Sequence, residues 1–185
     1  IKMINKKQYS AQIEIPEGVS INLDGPTINV NGPQGSTHRK LAHPKININL
    51  NATQISLSTL GNVSKREKKM LNTFEAHIKN MVGGVTKPYN YKLKICSGHF
   101  PMNVSIDKDT ILIKNFLGEK IPRKVNVLKN VDVNINGDFI SVSSVDKELA
   151  GKMSSRLEQA TRITNKDRRR FMDGLWIIEK GMQNE

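Results

Sequence analysis

The sequence contains a single cysteine, Cys96, which excludes an intrachain disulfide and any metal site built from clustered cysteines. One cysteine also fits a reducing compartment. No apolar run approaches the roughly 20 residues that a membrane-spanning helix needs, so no membrane partner is expected. The opening stretch, Ile1 to Ser10, is rich in lysine and lacks the apolar core of a secretory signal. The cytosol is the expected compartment, with assembly in the nucleolus if the cell is eukaryotic. Without a secretory signal, the tripeptides Asn62-Val63-Ser64 and Asn103-Val104-Ser105 carry no glycosylation meaning.

Catalytic equipment is missing as well. There is no Gly-Lys-Ser/Thr phosphate loop, no dinucleotide glycine fingerprint and no His-Glu-x-x-His helix. The four histidines, His38, His43, His77 and His99, are scattered. His77 borders a helical apolar stripe and reads as a hydrogen-bonded edge residue rather than a base. Cys96 falls in an alternating segment and reads as a small buried apolar residue rather than a nucleophile. The expectation is a non-enzyme with no cofactor, no metal and no small-molecule substrate.

What the chain does have is positive charge. Its formal net charge is +12 over 185 residues, with 37 % apolar and 25 % charged residues. A foldable chain this basic meets a polyanion, and nucleic acid is the first candidate. Residues 1–87 hold 12 Lys/Arg against 5 Asp/Glu, and residues 88–185 hold 17 against 12. The less basic half nevertheless carries the densest cluster. Arg162, Lys166, Arg168, Arg169 and Arg170 are opposed only by Asp167, with Phe171 and Trp176 close by. The cluster follows a helical pattern and precedes the apolar run Leu175-Trp176-Ile177-Ile178, which places it on a loop. Phosphate contact is the function such a loop suggests, through counterion release. A second run, Lys65, Arg66, Lys68 and Lys69, lies on the polar side of the first helix and reads as an ordinary solvated face.

The chain also repeats itself. Val19-Ser20-Ile21-Asn22, Thr27-Ile28-Asn29-Val30, Gly35 and Arg39-Lys40-Leu41 are answered in order by Val104-Ser105-Ile106-Asp107, Thr110-Ile111-Leu112-Ile113, Gly118 and Arg123-Lys124-Val125. Residues 47–51 and 55–58 are answered in the same way by 132–136 and 140–143. Alternating apolar and polar positions predict strands with one buried face. Asp24-Gly25-Pro26, Asn31-Gly32-Pro33 and Asn136-Gly137-Asp138 predict the turns. A helix follows the strands in each half. In the first, Met70, Leu71, Phe74, Ile78, Met81 and Val82 form a stripe behind a Ser64 cap with Glu67 three residues on, and Gly83-Gly84 is the expected stop. In the second, Leu149, Met153, Leu157 and Ala160 form the stripe from near Asp146. The fold class is therefore α+β: two tandem copies of a two-layer module, each an antiparallel sheet with one packed helix. The expected boundary is at Lys87-Pro88, giving modules 1–87 and 88–185.

Several strings resemble a known family. Ile78-Lys79-Asn80-Met81-Val82-Gly83-Gly84-Val85-Thr86, then Tyr91-Lys92, then His99-Phe100-Pro101-Met102-Asn103-Val104, are similar to the universal large-subunit ribosomal protein called L-six in bacteria and L-nine in eukaryotes. Residues 114–120 and 165–174 look like its eukaryotic-archaeal branch, and residues 146–151 like a motif shared with bacteria. The likeness runs from about Ile13 to Gly181. It implies two copies of one α+β module and binding to large-subunit rRNA, mainly through the C-terminal module, near the sarcin–ricin region where translation factors dock. It also implies neighbouring large-subunit proteins as partners. Carried onto this sequence, the RNA-facing positions are His99, Phe100 and Pro101 and the loop from Asn165 to Gly174, followed by Trp176. Arg162, Lys166, Arg168, Arg169 and Arg170 would neutralise phosphates, while His99, Phe100 and Trp176 shape the contact. The family's Trp-containing segment before the first helix is replaced here by Leu60-Gly61-Asn62-Val63, and the lysine-rich hairpin before it is short. The alternative from another class is a free-standing basic RNA-binding regulator, which would not co-sediment with a large subunit.

Overall fold

The alternating segments become strands in the computed structural model, which describes residues 9–51, 53–61 and 63–182. Most of the lysine-rich opening and Asn62, which belongs to both a tripeptide and the altered segment before the first helix, lie outside the described residues. The chain divides into two compact units, Ile1–Lys87 and Pro88–Glu185.

The first unit contains β1 (Ser10–Glu14), β2 (Ser20–Asp24), β3 (Thr27–Gly32), β4 (Gly35–Lys40), β5 (Ile46–Leu50), β6 (Gln54–Thr59) and α1 (Lys65–Thr86). Its strands divide between two antiparallel sheets, β2-β3-β4 and β1-β6-β5, a partition that alternation alone does not show. The β2–β3 hairpin turns on Gly25 at φ +56, followed by Pro26, whose ring forbids positive φ; this matches a two-residue II′ turn. Pairing Ile21 with Val30 then puts both on the buried face. Helix α1 opens on the expected capping box. Glu67 accepts from the Ser64 backbone N–H at 3.0 Å, and the Ser64 hydroxyl accepts from the Arg66 N–H. The stripe Leu71, Phe74, Ile78, Met81 and Val82 is buried against the strands, with each large side chain contributing about 1.5–3 kcal/mol.

Two expectations are corrected at one contact. The helix does not stop at Gly83-Gly84 but runs on to Thr86, and Asn31 and Gly32 belong to β3, so the next turn is Pro33-Gln34. The cause is close packing between helix and strand. Val85 is fully buried on Gly32, where a Cβ would lie 2.8 Å from Val85 Cγ2, and the Gln34 N–H donates to the Val85 carbonyl at 3.0 Å. These contacts outweigh the low helix propensity of two glycines. The helix ends instead at Lys87, extended at φ −134, because Pro88 disfavours helical backbone in the residue before it.

The second unit contains β7 (Tyr89–Cys96), β8 (Asn103–Asp107), β9 (Thr110–Lys114), a 3-10 turn (Phe116–Gly118), β10 (Arg123–Asn126), β11 (Asp132–Asn136), β12 (Phe139–Ser144), α2 (Lys147–Ala160) and β13 (Gly174–Met182). Its sheets are β8-β9-β10 and β11-β12-β7-β13, all antiparallel. The order β2-β3-β4 recurs as β8-β9-β10, and β1-β6-β5 recurs as β7-β12-β11, so the duplication is visible strand by strand. Asp146 caps α2 by accepting from the Glu148 N–H at 2.8 Å. The stripe of α2 is rotated slightly from the expected one: Ala150, Met153, Ser154 and Leu157 are buried, while Leu149 and Ala160 are half-buried. The Ser154 hydroxyl donates to the Ala150 carbonyl at 2.8 Å, which lets a polar residue sit in the core without an unmet donor. Leu93, Ile111, Ile113, Phe116 and Ile140 complete that core.

Candidate nucleic-acid interface

Helix α2 ends at Thr161, and the chain then crosses the surface as a loop until β13 begins at Gly174. Arg162, Asn165, Lys166, Arg168, Arg169 and Arg170 are all exposed on this loop. Asn165 takes a left-handed conformation at φ +61, which asparagine tolerates better than most residues. Asp167 organises the turn. Its carboxylate accepts from the Arg169 backbone and guanidinium, and its carbonyl accepts from the Arg170 N–H at 3.0 Å. The Arg169 guanidinium holds the Asp167 carboxyl below the ordinary range.

The loop after β7 is fastened to this one by Asp173. Asp173 is buried, and its Oδ1 accepts from the backbone N–H groups of Gly98 at 2.7 Å and His99 at 2.9 Å. Its Oδ2 meets His99 Nδ1 at 2.7 Å. Burial opposes a charge on this carboxyl, yet the hydrogen bonds from His99 and Gly98 outweigh it and hold Asp173 below the usual carboxylate range. The imidazole also stacks on Phe171, with centroids 4.6 Å apart and planes 22° from parallel. Lys166 Nζ lies 4.6 Å from the centre of the Phe171 ring. His99 is thus locked from two sides, and a lysine is drawn to the same ring. At the other end, the Arg168 guanidinium lies 5.4 Å from the centre of Trp176, whose Nε1–H donates to the Met172 carbonyl at 2.9 Å.

The structure brings His99 together with the arginine loop, while Phe100 and Pro101 face a neighbouring support. A Cβ on Gly118 would stand 3.4 Å from the Phe100 ring, and Asn115 Nδ2 donates to the Pro101 carbonyl at 2.9 Å. That 3-10 turn is held by Arg123, which bonds Glu119, caps α2 by donating to the Ala160 carbonyl at 2.6 Å, and lies over Phe116. Hydrogen bonds from Arg123 keep the Glu119 carboxyl low. Gly174 differs from its companions because it is buried. At φ +142, with the Thr161 hydroxyl 3.1 Å from where a Cβ would stand, it positions β13 under the loop. The Leu175 N–H donates to the same hydroxyl at 2.9 Å.

Sequence reasoning did not single out Asp173, Thr161, Glu119 or Arg123. Asp173 lies inside the string that resembles the family, but its partners are 74 and 75 residues away. Of the other polar candidates, His77 is half-buried and Cys96 is half-buried at the end of β7. The run Lys65, Arg66, Lys68 and Lys69 is exposed on α1, with Lys68 over Tyr9. Among the described residues, no group of three or more His, Cys, Asp or Glu side chains is placed to hold a metal ion, and no helix is long and apolar enough to cross a membrane.

Fold and surface together define a duplicated α+β protein whose densest cluster of exposed cations lies on one braced loop of its second copy. Comparison with known proteins gives the family. The family model described as Ribosomal protein L6 matches residues 15–88 and 100–174, one match in each unit. Proteins named large ribosomal subunit protein uL6 are similar along nearly the whole length. The one from Nanoarchaeum equitans is 42 % identical over 181 residues, covering 94 % of each chain. Those from Methanobrevibacter smithii and Desulfurococcus amylolyticus are each 40 % identical, covering 91 % and 92 % of this chain and 94 % of their own. The chain belongs to the ribosomal protein L6 family.

Proposed function

We propose that this chain is a structural constituent of the large ribosomal subunit. Its second unit, residues 88–185, is the main rRNA-binding element, at or near the sarcin–ricin region. The observation that carries this reading is the Asp173 clamp, which ties the His99 loop to a loop bearing five exposed cations. A protein that only needed solubility would gain nothing from bracing them, since a bound polyanion is what rewards a fixed array of charges. Arg162, Lys166, Arg168, Arg169 and Arg170 meet phosphates, and Phe100, Pro101 and His99 present a shaped edge beside them. Folded rRNA is recognised through backbone, shape and 2′-hydroxyl contacts, which suits such a surface. Neighbouring large-subunit proteins and rRNA are the partners, with no catalytic step. The relatives named above are archaeal, which supports the cytoplasm as the place of assembly as well as of function.

Co-sedimentation tests it. Tagged protein expressed in its own cell should be found in near-stoichiometric amount in the large subunit and stay there through a moderate-salt wash. A chain found mainly off the ribosome would support the free-standing regulator instead.

A further inference from the structure

A recess of about 290 Å³ opens beside β13, bounded by Glu158, Thr161, Arg162, Arg168, Leu175 and Trp176. We propose that it accepts one unpaired RNA base, guanine before any other, and that Glu158 reads the edge of that base. This inference rests on the RNA-binding reading above and adds a base-reading residue to it.

The recess is small. Its volume lies near the lower end of ligand pockets, about 300–1,000 Å³, enough for one flat ring system but not for a helix of RNA. The end of α2 is docked on the free edge of β13: the Leu175 N–H is met by Thr161 and the Ile177 N–H by Glu158 Oε1 at 3.4 Å. Trp176 is fixed by its own bond to Met172 and has the Arg168 guanidinium over one face, so the recess presents an arginine plane and an indole with no spare donor. Aromatic side chains and arginine planes are the platforms on which single-stranded bases stack.

Glu158 is the feature that phosphate binding leaves unexplained. It is a carboxylate set in a cationic surface, and among the described residues no cation pairs with it; its only side-chain bond is the long one from Ile177. A phosphate would be repelled there, whereas a base edge carrying N–H donors would be held. Guanine presents two adjacent donors, N1–H and the 2-amino group, to the two oxygens of a carboxylate. Its O6 and N7 accept from a guanidinium. Arg162, whose side chain makes no bond among the described residues, stands on the same rim. Adenine and cytosine offer a single amino group beside an acceptor. Uracil has only an N3–H donor, flanked on both sides by carbonyl oxygens that the carboxylate repels, and should bind worst.

The chain has one tryptophan, so its fluorescence reports this recess alone. The full chain should be titrated at low salt with four five-nucleotide RNAs, each a uridine run with G, A, C or U at the centre. The guanine probe should quench Trp176 saturably and bind about tenfold more tightly than the all-uridine probe. Glu158→Gln keeps an acceptor for the Ile177 N–H, and it should bring that preference to within about twofold. Glu158→Asp, which withdraws the carboxylate by one methylene, should do the same. Circular dichroism checks the fold of both. Absence of saturable quenching, equal affinity for all four probes, or a guanine preference that survives both substitutions would overturn the proposal. Large-subunit co-sedimentation of the same wild-type protein separates the cases: if it persists while the probes go unread, the base inference fails alone, and if it too is lost, the RNA reading beneath it fails.

Discussion

Among the described residues of the first unit the sheet β1-β6-β5 ends at β1, whereas in the second the equivalent strand β7 is flanked on its far side by β13. The helices differ too, α1 having 22 residues and α2 only 14. The loop from Thr161 to Asp173 follows the shorter helix, and β13 brings the chain back beside β7. Among the described residues no buried acid holds the link from β1 to β2, while the link from β7 to β8 is fastened by Asp173. The shared module is a scaffold built from paired apolar faces. The surface proposed to meet RNA is built from what the second copy has and the described residues of the first do not show.

The comparison can be broken by asking whether scaffold and surface respond separately. Phe74→Ala removes a buried ring from the α1 core, and it should lower stability by about 3–5 kcal/mol in urea unfolding. At concentrations where the variant stays folded, RNA affinity should be unchanged. A loss below roughly 1 kcal/mol would place Phe74 outside the core. Asp173→Ala acts on the surface instead. It strands two backbone donors and the imidazole, costing about 3 kcal/mol, and RNA binding should weaken with it. Wild-type binding in a folded Asp173→Ala protein would dissociate the clamp from the interface.

Subtler differences sharpen it. The α1 cap is reciprocal and the α2 cap is not, because Glu67 at the third helical position reaches back to Ser64, while Leu149 holds that place behind Asp146 in α2. Hydrogen bonds from Ser64, then from Lys45, lower the Glu67 pKa from 4.5 to about 2. Its folded value lies below the unfolded one, so its contribution is complete above pH 4.5 and is lost as pH falls toward 2. Glu67→Gln should flatten the pH dependence of stability in that window, and an unchanged slope would remove Glu67 from the account. The smallest effect is expected at the hairpins. Where β2–β3 turns on Gly25 at φ +56, β8–β9 turns on Lys108 at φ +52. Lys108→Gly relieves a left-handed strain of about 1–2 kcal/mol and adds unfolded-state entropy, for a net gain of up to about 1 kcal/mol. Destabilisation on thermal melting would contradict this.

How much of the molecule was readable from sequence follows from how far each cause reaches along the chain. The strands and the start of α1 were legible because alternation and the Ser64–Glu67 pair act over a few residues. The end of α1 was not, since it depends on Val85 meeting Gly32 across the fold. Nor could alternation say that each module's strands separate into two sheets, because a buried face does not name its partner. The arginine loop was legible as a charge cluster, and the motif pointed to His99. The clamp joining them was invisible, because Asp173 and Gly98 are 75 residues apart. Gly174 sits in the motif beside exposed residues, and only the structure shows it buried against Thr161.

The central claim is that the braced loop of the second unit, and not the basic run of the first, meets phosphate. It is tested by the salt dependence of rRNA-fragment binding in two triple variants. Replacing Arg168, Arg169 and Arg170 by Ala should weaken binding across sequences and make the log-affinity against log-salt slope shallower by about two to three units. Replacing Lys65, Arg66 and Lys68 by Ala should leave both nearly unchanged, with circular dichroism confirming that each variant is folded. A slope that stays the same in the arginine variant, or falls in the α1 variant instead, would contradict the account.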